Sequence, residues 1–255
     1  MSQNAISNWS KLRPVQKQKI TIMKKQDFIF ILCVIVVLVP FFIPQTHFLE
    51  YFNLWTASHP FIMSFFKFAI LATVGEMLGL RISKGVYNQK GFGILPRAIV
   101  WGILGMGICM AMIIFKAGVP TFLDIVGGCE KGTMAGLLAG ELTWGKVGVA
   151  FAVSVAMNSI FAPVFMTLHK ITDTHILNNG GTLRGFFRPI KMEQIIVGLN
   201  WKAQWNLVFK KYIPLFWFPA HTITFLLPAN LQVLFAALLG VILGVMLSIA
   251  NLRKG

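Results

Sequence analysis

Acidic residues are scarce in this chain: eight Asp and Glu stand against twenty-three Lys and Arg, a formal charge of +15 over 255 residues. No two of those eight carboxylates form an evident pair for general acid–base work. Cysteine is nearly absent too. Cys33, Cys109 and Cys129 share no paired spacing, which excludes a disulfide framework or a metal knuckle and leaves the redox compartment open. HExxH, GxSxG, the phosphate-binding loop and the dinucleotide glycine fingerprint are all missing. The Gly127–Gly128 pair is followed by no GK[ST] and reads as a turn. His169 and His175, six apart in a basic connection, are poorly placed as a metal pair. The expectation is a non-enzyme with no catalytic residue, no metal and no cofactor.

What the chain does have is apolar length. It is 56% hydrophobic with a mean hydropathy of +0.72, too apolar for a soluble domain of this size. Six stretches, at about 27–44, 61–80, 98–115, 147–168, 212–228 and 231–250, approach the roughly 20 residues that a bilayer requires of a helix. The expected fold is an all-α, polytopic transmembrane bundle over residues 27–255, preceded by a basic tail over 1–26. All Lys and Arg except Lys67, Lys116, Lys131 and Lys146 fall in that tail, in the connections 81–97 and 169–211, and at the C-terminus. This asymmetry puts both termini and the basic connections in the cytosol. Because the charge lies between apolar runs, the partner it implies is the bilayer surface and not nucleic acid.

The basic tail and first apolar run imitate a secretory signal, but Pro40, Phe41, Phe42 and Pro44 replace a small-residue cleavage site. An uncleaved signal-anchor helix is the reading, with a mitochondrial presequence as the alternative for the tail. Thr133–Leu142 is mildly apolar and too short to span, so it reads as a re-entrant or interfacial helix on the outer side. Residues 192–205 read as a surface-lying helix anchored by Trp201 and Trp205.

Ionisable and amide side chains at membrane depth are costly and so nominate function. Lys67 sits near the outer end of the second stretch, where its long stem can snorkel to the interface. Glu76 is shorter and deeper. It is either a neutralised or Arg81-paired packing residue or part of an ion path. Asn158 in the fourth stretch and His221 in the fifth offer the same choice between lining a path and bonding a neighbouring helix. Gly75 with Gly79, and Gly240 with Gly244, form small-xxx-small surfaces that admit close helix approach and homo-oligomerisation. Pro163, Pro214 and Pro219 supply kinks. The segment Trp201–Pro228 combines three tryptophans, two adjacent lysines and three prolines in a run too apolar for a loop. Such a run belongs inside a packed bundle, where neighbours re-satisfy the freed backbone groups.

Several of these residues carry a resemblance over about residues 65–250. Gly75–Glu76, Arg97 opening a span, Lys146 leading to Asn158 and Pro163, and the series Trp201, Trp205, Phe218, Pro219, Phe225, Pro228 resemble the Mpv-seventeen family of peroxisomal and mitochondrial inner-membrane proteins. Leu80 stands where the family has glutamine, Thr224 where it has asparagine, and Gln232 where it has arginine. Six spans replace the usual four, as expected of a distant, bacterial member. The resemblance implies a small pore of low selectivity for metabolites or ions, with the solute undefined. The expected site is a polar path lined by Glu76, Asn158 and His221 in a bacterial cytoplasmic membrane, with mitochondrial inner or peroxisomal membranes as alternatives. A non-transporting scaffold or assembly factor is the second reading.

Overall fold

The computed structural model describes residues 23–252, and every regular element among them is helical. Most of the basic tail, residues 1–22, and the closing Arg253 and Lys254 lie outside the described residues. The chain divides between Pro40 and Phe41 into two compact units. The first carries most of helix α1 (Lys25–Phe42), whose first turn holds Asp27 with Oδ2 accepting the Lys24 backbone N–H at 2.7 Å.

The second unit is built from α2 (Phe48–Ser58), α3 (Pro60–Lys84), α4 (Ile94–Val126), α5 (Thr133–Ala139) and α6 (Trp144–Asn178). The short helices α7 (Leu183–Phe186), α8 (Met192–Gly198) and α9 (Trp201–Ala203) follow. A π-helix (Gln204–Trp217), α10 (Phe218–Leu226) and α11 (Ala229–Leu252) complete it. Among the described residues five helices, α1, α3, α4, α6 and α11, are long and apolar enough to cross a membrane. The protein is an all-α integral membrane protein. The remaining expected stretch, 212–228, is helical as well, but as the second half of the π-helix followed by α10, and it is not among those five.

Three expectations need correction. Helix α4 does not stop at Phe115 but continues through Lys116 and Pro120 to Val126. Helix α6 continues from Leu168 to Asn178, so His169, Lys170, Asp173 and His175 stand on a helix and not in a connection. Helical hydrogen bonding is indifferent to side-chain polarity, so a helix outlasts its apolar stretch when its polar turns find partners. Lys116 Nζ, for example, donates to Gln232 Oε1 at 2.9 Å. Third, Lys67 does not snorkel. Its Nζ is covered by α2, donating to Thr56 Oγ1 at 3.0 Å and lying 4.7 Å from the Phe52 ring centre.

The end of α3 is set by Gly85, which takes the left-handed conformation (φ 75°) that ends helices most cheaply at glycine. The stretch expected to be re-entrant or interfacial contains α5, held against α4 by the buried Asp124. Its two carboxylate oxygens accept the Gly132 and Met134 N–H groups at 2.7 and 2.9 Å. At the end of α10, Leu227 is extended (ψ 157°), as a residue preceding Pro228 must be.

Helix α3 is central, packing chiefly on α4 and α11. In lipid the association of helices rests on close contact between small side chains, and the core follows that rule with Ala72, Ala111, Ala150, Ala236 and Ala237 among its members. Outward-facing side chains such as Ile103, Ile114, Phe151, Ile160 and Ile223 are large, apolar and exposed, as a lipid-facing surface requires.

Helices α3 and α11 approach each other closely. A Cβ on Gly75 would lie 2.9 Å from Val241 Cα, and one on Gly79 would lie 2.8 Å from Ser248 Oγ. The Gly75–Gly79 face is therefore taken up within the chain, and an oligomer would need another surface. Gly75→Ala is expected to destabilise by about 1–3 kcal/mol, because the obstacle is backbone and cannot step aside. Gly240→Ala, with no heavy atom within 4 Å of the new methyl, should leave the unfolding midpoint in detergent unchanged or higher. Equal midpoints for the two variants would refute this account of the contact.

Candidate functional site

The site is organised by the π-helix. The Phe218 N–H bonds to the Ile213 carbonyl, five residues back, which widens the winding beyond that of an α-helix. The residues it presents to a cavity in the bundle are Gln204, Val208, Tyr212 and Trp217, at steps of four, four and five. At about 100° per residue, Gln204 and Trp217 would stand roughly 220° apart, on opposite sides of an α-helix. In the wider winding they share one wall, and His221 continues it in α10.

That wall closes a cavity of about 350 Å³ whose other sides come from α3, α4, α6 and α11. Most of the lining is apolar: Phe68, Ile108, Met157, Phe161, Phe165 and Leu243. The structure brings Glu76, Asn158 and His221 to this one cavity, together with Gly75, Gly240 and Gly244. Gly79 and the three prolines Pro163, Pro214 and Pro219 are outside its lining. Gly240 contributes no methyl, and a Cβ there would meet nothing within 4 Å.

At one end of the lining stands a charge network. Glu76 Oε2 pairs with Arg97 Nη1 of α4, while Glu76 Oε1 accepts the Trp101 indole N–H at 2.9 Å and lies 3.3 Å from His169 Nε2 of α6. The same guanidinium extends Nη2 to Asp173 Oδ1 and donates Nε–H to the Phe92 carbonyl at 2.8 Å. Asp173 Oδ2 lies 3.4 Å from Lys170 Nζ. The partner of Glu76 is thus Arg97 and not Arg81, whose guanidinium lies 5.9 Å from the Tyr87 ring centre. Four residues below Glu76 on the same helix is Leu80, whereas Arg97 enters from the neighbouring helix and forms a fork to two carboxylates.

The second polar group is a chain of neutral hydrogen bonds. His221 Nδ1 is 3.0 Å from Asn158 Oδ1, and Asn158 Nδ2 donates to the Ser154 carbonyl at 2.8 Å. Ser154 Oγ donates to the Phe218 carbonyl at 2.8 Å, and Thr222 Oγ1 donates to it at 2.7 Å. These hydroxyls supply backbone partners beside the Pro219 step, where a proline removes a helical N–H. The His221 ring is flanked by Trp217, with ring centres 5.0 Å apart.

Two lining groups are left over. Gln204 Nε2 and Trp217 Nε1 are buried donors with no acceptor among the described residues. Neither stood out in the sequence, nor did Trp101 or Asp173. The steps between 204, 208, 212, 217 and 221 are a signal for the first two, readable only once a winding above 3.6 residues per turn is considered.

No family model, curated protein or solved structure matches this chain.

Proposed function

We propose that this membrane protein is a weakly selective pore for small metabolites or ions, with the cavity on its path. One observation carries the reading: polar side chains from three separate helices, Glu76, Asn158 and His221, meet at a single cavity large enough for a small solute. Gly240, where a side chain would meet nothing within 4 Å, keeps the wall open, and the wide π-winding gives the path a side that can rewind. The likeness of Gly75–Glu76, Arg97, Asn158 and Pro163 to the Mpv-seventeen family agrees with a pore. A bacterial cytoplasmic membrane is the proposed location, with mitochondrial inner or peroxisomal membranes as alternatives, and no catalytic role is assigned.

The test is flux of ions and small metabolites through purified protein in liposomes, wild type beside Glu76→Gln and His221→Ala. A flux that needs the protein and changes with either substitution is the expected result. A second reading has its own support, because Glu76, Asn158 and His221 are each hydrogen-bonded to the protein. As a non-transporting scaffold, the protein would lose stability on these substitutions with no permeability to alter. A folded protein that passes nothing decides for the scaffold.

A further inference from the structure

Gln204 and Trp217 pose a question that the pore reading does not answer. A buried hydrogen-bond donor without an acceptor is costly, yet the cavity wall holds two, at opposite ends of the π-helix. Both are donors. The carboxylate in the lining, Glu76, is already taken by Arg97, Trp101 and His169, so it is not the acceptor they lack. Lys170, whose side chain is 53% exposed and whose Nζ lies at a loose 3.4 Å from Asp173 Oδ2, lines the cavity with Gln204 and brings a positive charge to it. Between these polar points the walls are apolar, with Phe68, Met157 and Phe165 among them.

We propose that the cavity binds a compact carboxylate with an apolar body and a second hydrogen-bond acceptor. The carboxylate is taken by the Gln204 amide and the Lys170 ammonium, and the second acceptor by the Trp217 indole N–H. A volume of about 350 Å³ suits such a solute, at the small end of the roughly 300–1,000 Å³ typical of small-molecule sites. A hydrated inorganic ion fits the wall poorly, because apolar surface cannot replace its water. This assignment rests on reading the cavity as a solute site and narrows the solute from any metabolite or ion to an acceptor-bearing organic acid.

The experiment is equilibrium binding of radiolabelled 7-oxooctanoate and octanoate to the purified full-length protein in detergent micelles. 7-Oxooctanoate carries both acceptors, and octanoate only the carboxylate. Wild type should bind 7-oxooctanoate more tightly than octanoate. Gln204→Leu should weaken both by roughly tenfold, since each loses a hydrogen bond to a charged group. Trp217→Phe, which keeps an aromatic ring, should weaken 7-oxooctanoate alone.

Thermal unfolding without solute separates a binding role from a structural one. Removing an unsatisfied buried donor should raise the midpoint of Gln204→Leu, whereas loss of a structural contact would lower it. Absence of saturable binding to folded wild type, or equal binding by all three proteins, overturns the assignment. Flux in liposomes is scored separately: flux without carboxylate binding would sink this assignment and spare the pore, and binding without flux would do the reverse.

Discussion

Gly240→Phe is expected to stop the proposed solute flux and to leave the protein folded. Gly240 faces the cavity from α11, and a side chain built there meets no heavy atom within 4 Å at its first carbon. A benzyl group at that point therefore grows into empty space and fills a large share of about 350 Å³. Cavities of this kind are filled at little cost, and filling one often stabilises. Loss of most of the flux is expected, because a path without a parallel route passes little once its cavity is filled. Liposome flux and the unfolding midpoint, read on the same preparation, check it. Undiminished flux through folded Gly240→Phe would place the path elsewhere.

Arg97→Met should be the most damaging single change to stability. The guanidinium is 7% exposed and joins α3 to α6 through Glu76 and Asp173, and it lies 4.6 Å from the Phe92 ring centre. Removing it leaves two half-buried carboxylates without their shared cation, a loss toward the low end of the roughly 3–5 kcal/mol of a broken, fully buried ion pair. Arg97→Lys should recover little, because an ammonium cannot reproduce a fork that reaches two carboxylates and a carbonyl. Adding Glu76→Gln to Arg97→Met should restore part of the loss, since one of the stranded charges is then gone. Chemical unfolding of the four proteins forms a double-mutant cycle, and additive losses would show that the two residues are not coupled.

Much of the fold was legible because the bilayer imposes a length on apolar runs. The second stretch was expected at 61–80 and the helix runs Pro60–Lys84; the last was expected at 231–250 and α11 runs Ala229–Leu252. Where polar residues continue a helix, the same rule misleads. Lys170 and Asp173 read as loop residues by composition, but on α6 they face Arg97 and its carboxylate partners. The π-helix was illegible for a different reason. Residue propensities report on helical dihedrals in general and do not separate a bond to the fourth residue from one to the fifth. Trp201 and Trp205 suggested an α-helical turn at the interface, whereas the winding that matters begins at Gln204.

For the site, the cost of polar groups in lipid was enough to single out Glu76, Asn158 and His221. It could not supply their partners. Arg97 looked like an inner-loop cation, and the link from Asn158 to His221 spans sixty-three positions, far beyond any local pattern. A partner that is distant in sequence leaves no periodic trace, so it emerges only from packing.

The pore reading puts the cavity on a route across the membrane and not in a closed pocket. Its most direct test is the accessibility of Gly240→Cys to a membrane-impermeant thiol reagent, in a protein where Cys33, Cys109 and Cys129 are replaced by alanine. The reagent is applied to oriented proteoliposomes from outside only, and then from inside only. A route predicts modification from both sides, slowed in each case by a solute that occupies the cavity. Modification from one side only, or from neither, would contradict it and leave the cavity a dead-end pocket in a membrane scaffold.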